Sequence, residues 1–414
     1  MMLCALVVMT TAAFAQKSNV KKVKAYIENA DIPIAIDLSN AKPQMIEEYR
    51  ALLEPALTHP ESKDMPDTWR YAARLKIYDM NQMLKEYARN GNKFDDLKVF
   101  IQNQYDIVSY LENYERLMHT PNEKGKLPYK EEEIAKEHLL AQQMANGPRS
   151  NLLVGASQFV YDDPAYAVKL LDLYYESMDN PLFKELDLRN KDEALSTANY
   201  VYATALKATG GDEAKYLQLL QASRDSESGP MACQDLITYY KEKGDKENMN
   251  KYLRYATEHY PKQLVFAVNM LQAEMSEQKY AEAIEHANKM IANIEADETL
   301  KADENVHWIY YFKAVALYNS DKKEEAYGAF LKAYEVSPDF DNLSGAANCA
   351  AMLAQHYATN KPVSKQWYDK AIQHYEQCRT DFPDRDDVWG YQLYVCYNNT
   401  GNTAKANEFK KYTK

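Results

Sequence analysis

The sequence predicts an all-α fold of stacked helical hairpins. Three observations carry this. Apolar residues recur at three- and four-residue spacings almost throughout, the period of one helix face, and no alternating run marks a strand. The 414 residues include only 12 Gly and 15 Pro, too few for the turns of a large all-β domain. The breaks are short: Asn90-Gly91-Asn92, Gly210-Gly211-Asp212 and Lys243-Gly244-Asp245 each separate two periodic segments.

Hydrophobic residues make up 46% of the chain, enough to bury a large core. The formal net charge is −12, which disfavours a general nucleic-acid binder, since that needs a basic footprint to displace counterions. Tyrosine is abundant, at 34 residues.

Residues 1–15 read MMLCALVVMTTAAFA, an uncharged apolar run ending in Ala13-Phe14-Ala15. This matches a secretory signal with a small-x-small cleavage site before Gln16. The run is too short for a bilayer span of ~20 residues. Lys17, Lys21, Lys22 and Lys24 end it at once, although no Lys or Arg precedes it. No apolar stretch precedes Cys4, so a lipoprotein site there is not expected. The mature chain is expected to be exported to the periplasm or cell surface, with no transmembrane segment. Cys233, Cys349, Cys378 and Cys396 then remain, far apart and without a CxxC pair, so they read as small apolar fillers and not as a zinc site. A Cys378–Cys396 bridge between successive helices is left open.

The chain also repeats itself. Residues 306–338 carry Tyr310, Lys313-Ala314 and Leu317, then Ala326 and Phe330, then Ala333 and Pro338. A second unit has Cys233, Leu236, Ile237, Tyr240, Met249, Leu253, Ala256 and Pro261. A third has Ala350, Leu353, Ala354, Tyr357, Ala371, Tyr375, Cys378 and Pro383, with a turn five residues longer that holds Lys361-Pro362. The last has Leu393, Tyr394, Tyr397, Gly401 and Ala406. Twelve residues separate Ala326 from Pro338, Ala371 from Pro383 and Met249 from Pro261. Generic amphipathic helices do not keep phase in this way. Small residues let two helices approach, large ones fill the space between hairpins, and Pro ends the second helix.

Residues 264–297 and 198–222 read as weaker hairpins. Nearer the N-terminus, Trp69, Ala72 and Ala73 open a helix that runs past Tyr87, and residues 94–118 form its partner. The most linker-like stretch is 120–133, with lesser breaks at Asn146-Gly147-Pro148 and at 226–230. The expected organisation is a signal peptide over 1–15, divergent helical repeats over 16–120 and 121–230, and a regular array over 231–414.

On these residues the segment 231–414 resembles the tetratricopeptide repeat family, whose pattern is aromatic, apolar-small pair, aromatic, then Ala-x3-aromatic and a closing Pro. Lys313 departs from it in the clearest unit, and Leu317 stands at the second aromatic place. The Ala13-x-Ala15 signal, Gln16 at the mature start, and Pro55, His59-Pro60 and Thr68-Trp69 also resemble exported repeat proteins of Bacteroidota-type bacteria. The resemblance implies a right-handed superhelical solenoid. It further implies a scaffold whose concave face holds a protein or peptide, without catalysis and without a cofactor.

Catalytic signatures are missing from the sequence. There is no GxxxxGK[ST] phosphate loop, no GxGxxG fingerprint, no HExxH and no GxSxG elbow. The 8 histidines are scattered, and no metal site is expected. Glu282 and His286, one turn apart, read as a solvated surface pair. Asp384, Asp386 and Asp387 read as acids at a helix N-terminus, since Val388 and the lack of a following Gly break calcium-loop spacing.

The candidate ligand surface is a second stripe on the first helix of each hairpin. Tyr310, Ala314 and Leu317 face the interior, which leaves Trp308, Tyr311, Val315 and Tyr318 on an adjacent stripe. Equivalent places hold Gln234 and Thr238, Asn348 and Gln355, and Tyr391 and Asn398. The set is aromatic and amide-rich and almost free of Lys and Arg. Amides suit a peptide backbone or sugar hydroxyls, and aromatic rings supply flat apolar area. Packing of these aromatics against the next hairpin is the competing expectation. Three function classes remain: an interaction scaffold, a glycan-binding protein of an envelope uptake system, and an enzyme on a helical toroid. The last would need facing carboxylates from different hairpins.

Overall fold

The computed structural model describes residues 16–27 and 43–413. The expected signal peptide and Cys4 lie outside the described residues. All regular structure among the described residues is helical, in two compact units, one up to Gly229 and one from Pro230.

The first unit contains a helical segment over residues 16–27 (α1), then α2 (Pro43–Thr58), α3 (Pro66–Arg89), α4 (Leu97–Met118), α5 (Glu131–Phe159), α6 (Pro164–Ser177), α7 (Leu188–Lys191), α8 (Leu195–Thr209) and α9 (Glu213–Ser223). Successive helices pack on one another from α2 to α6, and α6 packs on α8, which pairs with α9. Val20, Val23, Ile46, Leu53 and Tyr71 close the start of the unit across α1, α2 and α3. One expected break does not exist. Asn146-Gly147-Pro148 lies within α5, a continuous helix of 29 residues. Pro148 and Arg149 are both buried there, so packing on neighbouring helices holds the turn that proline weakens.

The second unit contains α10 (Gly229–Glu242, its first residue shared with the boundary), α11 (Lys246–His259), α12 (Leu264–Ser276), α13 (Tyr280–Ala296), α14 (Glu298–Lys301), α15 (Val306–Asn319), α16 (Lys323–Val336), α17 (Phe340–His356), α18 (Lys361–Asp381), α19 (Asp386–Asn399) and α20 (Thr403–Glu408). Helices pack in sequence order from α15 to α20, and α17 also touches α19. This is the tetratricopeptide-like arrangement, in which helices pair in sequence and first helices of neighbouring hairpins meet, as α12 does with α15 and α17 with α19. Asp386 and Asp387 do occupy the first turn of α19.

The hairpin turn itself is a repeat. In each case a backbone N–H two or three residues past the helix donates to the carbonyl five residues back: Gly211 to Leu206 and Asp245 to Tyr240 at 2.9 Å, Lys279 to Glu274 at 2.9 Å, Lys322 to Leu317 at 3.0 Å, and Asn402 to Tyr397 at 2.9 Å. Each turn needs one left-handed residue, supplied by Gly210, Gly244, Gln278, Asp321 and Gly401 in turn. Asp212, Asp245 and Asn402 then cap the next helix through its third backbone N–H.

The small residues are where they were expected. Ala314, Ala326, Ala333 and Ala346 are fully buried, and Ala314, Leu317, Ala326, Phe330, Ala346 and Cys349 form one cluster across α15, α16 and α17. Gly345 belongs to the same device, since a Cβ there would sit 2.6 Å from the Phe330 ring. Ala326→Leu should therefore overpack this hairpin and cost ~1–3 kcal/mol in urea unfolding, and an unchanged midpoint would mean the repeat phase is misassigned. One detail differs from expectation. The five extra residues of the third unit extend its second helix and not its turn, because Lys361-Pro362 begins α18, where proline at the first turn is tolerated. Cys349, Cys378 and Cys396 are buried thiols, so no Cys378–Cys396 bridge forms, and burial pushes each thiol up to about 12.

Candidate functional site

Helix α15 is apolar almost all round. Val306, Ile309, Tyr310, Ala314, Ala316 and Leu317 fill the core on one side. Trp308 is 43% exposed on the other. Tyr311 and Tyr318 lie between these extremes, half-buried against the cluster that contains Phe330. The Tyr311 ring stands edge-on to Trp308 at 5.7 Å and to Phe330 at 6.2 Å, and its burial raises the phenol pKa. The two tyrosines therefore pack against the next hairpin and present a surface at once.

Tyr318 joins α15 to α17. Its hydroxyl donates to Met352 Sδ at 3.1 Å, and Asn348 Nδ2 lies 3.5 Å from the same hydroxyl. Met352 is 36% exposed and belongs to this face, at the helical step between Asn348 and Gln355. Reading the Asn348 stripe one turn further in the sequence would have found it. Gln355 is exposed on α17, and Tyr391 (48%) and Asn398 are exposed on α19. These three make no hydrogen bond or ring contact with Tyr311 or Tyr318. Gln234 and Thr238 on α10 hydrogen-bond to each other at 3.3 Å.

The face is not free of cations. Lys323 Nζ donates to the Tyr318 carbonyl at 2.6 Å and sits 4.2 Å over the Tyr318 ring. The lysine caps the end of α15 and is tied down, so it is not free to grip a carboxylate.

Two polar constellations in the first unit escaped the sequence. Glu115 on α4 is 1% exposed, and its Oε1 lies 3.0 Å from His119 Nε2 and 2.9 Å from His138 Nδ1. The Glu115–His119 spacing of one turn was legible, but His138 comes from α5. Glu112, also on α4, is pushed up to about 8, first by burial and then by Glu176, with Arg149 opposing. In the second unit His286 Nδ1 pairs with Glu274 Oε1 at 2.7 Å. The expected solvated Glu282–His286 pair is thereby corrected: α12 presents Glu274 to the ring. Among the described residues, no group of three His, Cys, Asp or Glu is arranged to hold a metal ion, and no helix is long and apolar enough to cross a membrane.

No protein-family model matches the chain, and no curated protein does. Among solved structures, the chain is similar to the C-terminal part of a TPR repeat-containing protein from Cytophaga hutchinsonii, at 13% identity and TM-score 0.40, over 63% of this chain and 93% of that one. It is also similar to the TPR domain of P58(IPK), at 13% identity and TM-score 0.26, over 94% of this chain and 99% of that one. A circular tandem repeat protein with novel repeat topology is similar at 14% identity and TM-score 0.26, over 97% of this chain and 94% of that one.

Proposed function

We propose that the chain is a non-catalytic scaffold that binds a protein or peptide segment along the face of α15, α17 and α19, and that it works in the periplasm or at the cell surface. The observation that carries the reading is the division of α15. One stripe already fills the core, yet Trp308 stays exposed on another, and Met352 and Tyr391 are exposed on the next two first helices. Flat rings and a soft thioether supply adaptable apolar contact, and Asn348, Gln355 and Asn398 offer paired donors and acceptors to a peptide backbone. No catalytic group stands among them.

Trp308→Ala/Tyr391→Ala is the cleaner test pair, because both side chains are exposed. Far-UV circular dichroism of this variant should match wild type, while capture of the partner from envelope extract should fall by at least about tenfold, the loss expected for two aromatic anchors. Equal capture would refute the assignment. For export, N-terminal sequencing of the native protein should begin at Gln16. A mature protein that retains Met1 would contradict it.

A further inference from the structure

We propose that the second unit holds, apart from its face of first helices, a trough for a short peptide with both ends free, an ammonium at one end and a carboxylate at the other. Helix α12 packs on both α11 and α13, and two adjoining cavities of about 240 and 210 Å³ lie among the three helices. Arg254 of α11, Met270 of α12 and His286 of α13 line both. Either cavity alone is smaller than an ordinary ligand pocket, and the two together reach that size.

Charge in the trough is sorted by end. Arg254 and Lys289 wall the larger cavity, and neither makes a hydrogen bond or an ion pair among the described residues. Glu258 beside them offsets one of the two charges, which leaves one cation without a counter-ion. The smaller cavity has Glu274, Glu277 and Glu282. His286 holds Glu274 and Lys279 holds Glu277, so Glu282 is the carboxylate left over. A plain anion would suit the first end and meet the acids of the second, and a plain cation would do the reverse. A zwitterion gives each end a charge-assisted partner. Glu282 and Lys289 are seven residues apart on α13, about 10 Å along the helix axis. A free amino acid is too short to bridge that, whereas an extended chain of about three residues spans it. Buried Met270 belongs to both cavities, and its soft thioether suits an apolar side chain on the middle residue.

The test titrates the mature full chain with the tripeptide Ala-Leu-Ala, with its N-acetylated form and with its C-terminal amide, read by calorimetry. The free tripeptide should saturate one site, and each blocked form should bind at least about tenfold more weakly, the worth of one hydrogen bond to a charged group. Arg254→Gln/Lys289→Gln should bring the free tripeptide down to the affinity of the amide. Glu282→Gln should make the free and acetylated forms bind equally. All three positions are exposed, so neither variant touches the core. Trp308→Ala/Tyr391→Ala should bind the tripeptide as wild type does, which keeps this trough distinct from the first-helix face. No saturable binding, an acetylated or amidated form as tight as the free tripeptide, or loss of binding in Trp308→Ala/Tyr391→Ala would overturn the proposal.

Discussion

Arg149→Ala is expected to destabilise the first unit by about 3–5 kcal/mol, measured by urea unfolding. The Arg149 side chain is 6% exposed and bridges Asp192 at 2.9 Å, where Asp192 is itself only 11% exposed. Its Nε donates to Ser177 Oγ at 2.7 Å, and the guanidinium lies 4.1 Å from the Tyr174 ring centroid. Tyr174 also donates to the same Asp192 oxygen at 2.6 Å, so one arginine ties α5 to α6 and to the turn between α7 and α8. Truncation strands a buried carboxylate and removes the planar body that packs on Tyr174. Replacing the whole pair, as Arg149→Met/Asp192→Leu, should recover most of the loss, because the cost lies in the uncompensated charge. A single variant with the wild-type midpoint would show that the bridge contributes nothing.

Glu112→Gln is expected to stabilise the protein, increasingly as pH rises. In the folded chain the Glu112 carboxyl is pushed up to about 8, chiefly by burial and then by Glu176. Its ordinary value in an unfolded chain is about 4.3. Below that value the group is protonated in both states and imposes no pH-dependent cost. Between it and about 8 the unfolded chain ionises first, so wild-type stability falls with rising pH. Above about 8 the penalty is constant. Glutamine carries no charge to bury, so its advantage should be negligible near pH 4, grow through neutrality and level off above pH 8, at no more than about 5 kcal/mol. Melting temperatures of both proteins at pH 4, 6, 7 and 9 check this. A difference that does not change with pH would contradict it.

How much of this was legible depended on whether the signal was local. The hairpins from α15 to α20 follow from spacing alone, because Tyr310, Ala314, Leu317, Ala326 and Phe330 each fix one contact that the fold requires. The turns were legible only where glycine marks them. Gln278 and Asp321 adopt the same left-handed backbone as Gly244 and Gly401, and nothing in their side chains announces it. The α5 break was misread because tertiary packing around buried Pro148 and Arg149 outweighs the local preference against proline. The aromatic stripe was legible on α15, but exposure was not. Trp308 and Tyr311 are three residues apart, and only their packing makes one exposed and the other half-buried. The constellations of Glu115 with His138 and of Arg149 with Asp192 join residues 23 and 43 positions apart, and one sequence carries no sign of such pairings.

The central claim is that ligand lies across Trp308, Met352 and Tyr391. Photochemical oxidative footprinting of the mature chain, alone and saturated with the partner it captures, tests this most directly. Tyr161, in the first unit and 79% exposed, is an internal reference. The account predicts that labelling of Trp308, Met352 and Tyr391 falls together on binding while Tyr161 is unchanged. Protection of Tyr161 with Trp308, Met352 and Tyr391 labelled as in the free protein would contradict it.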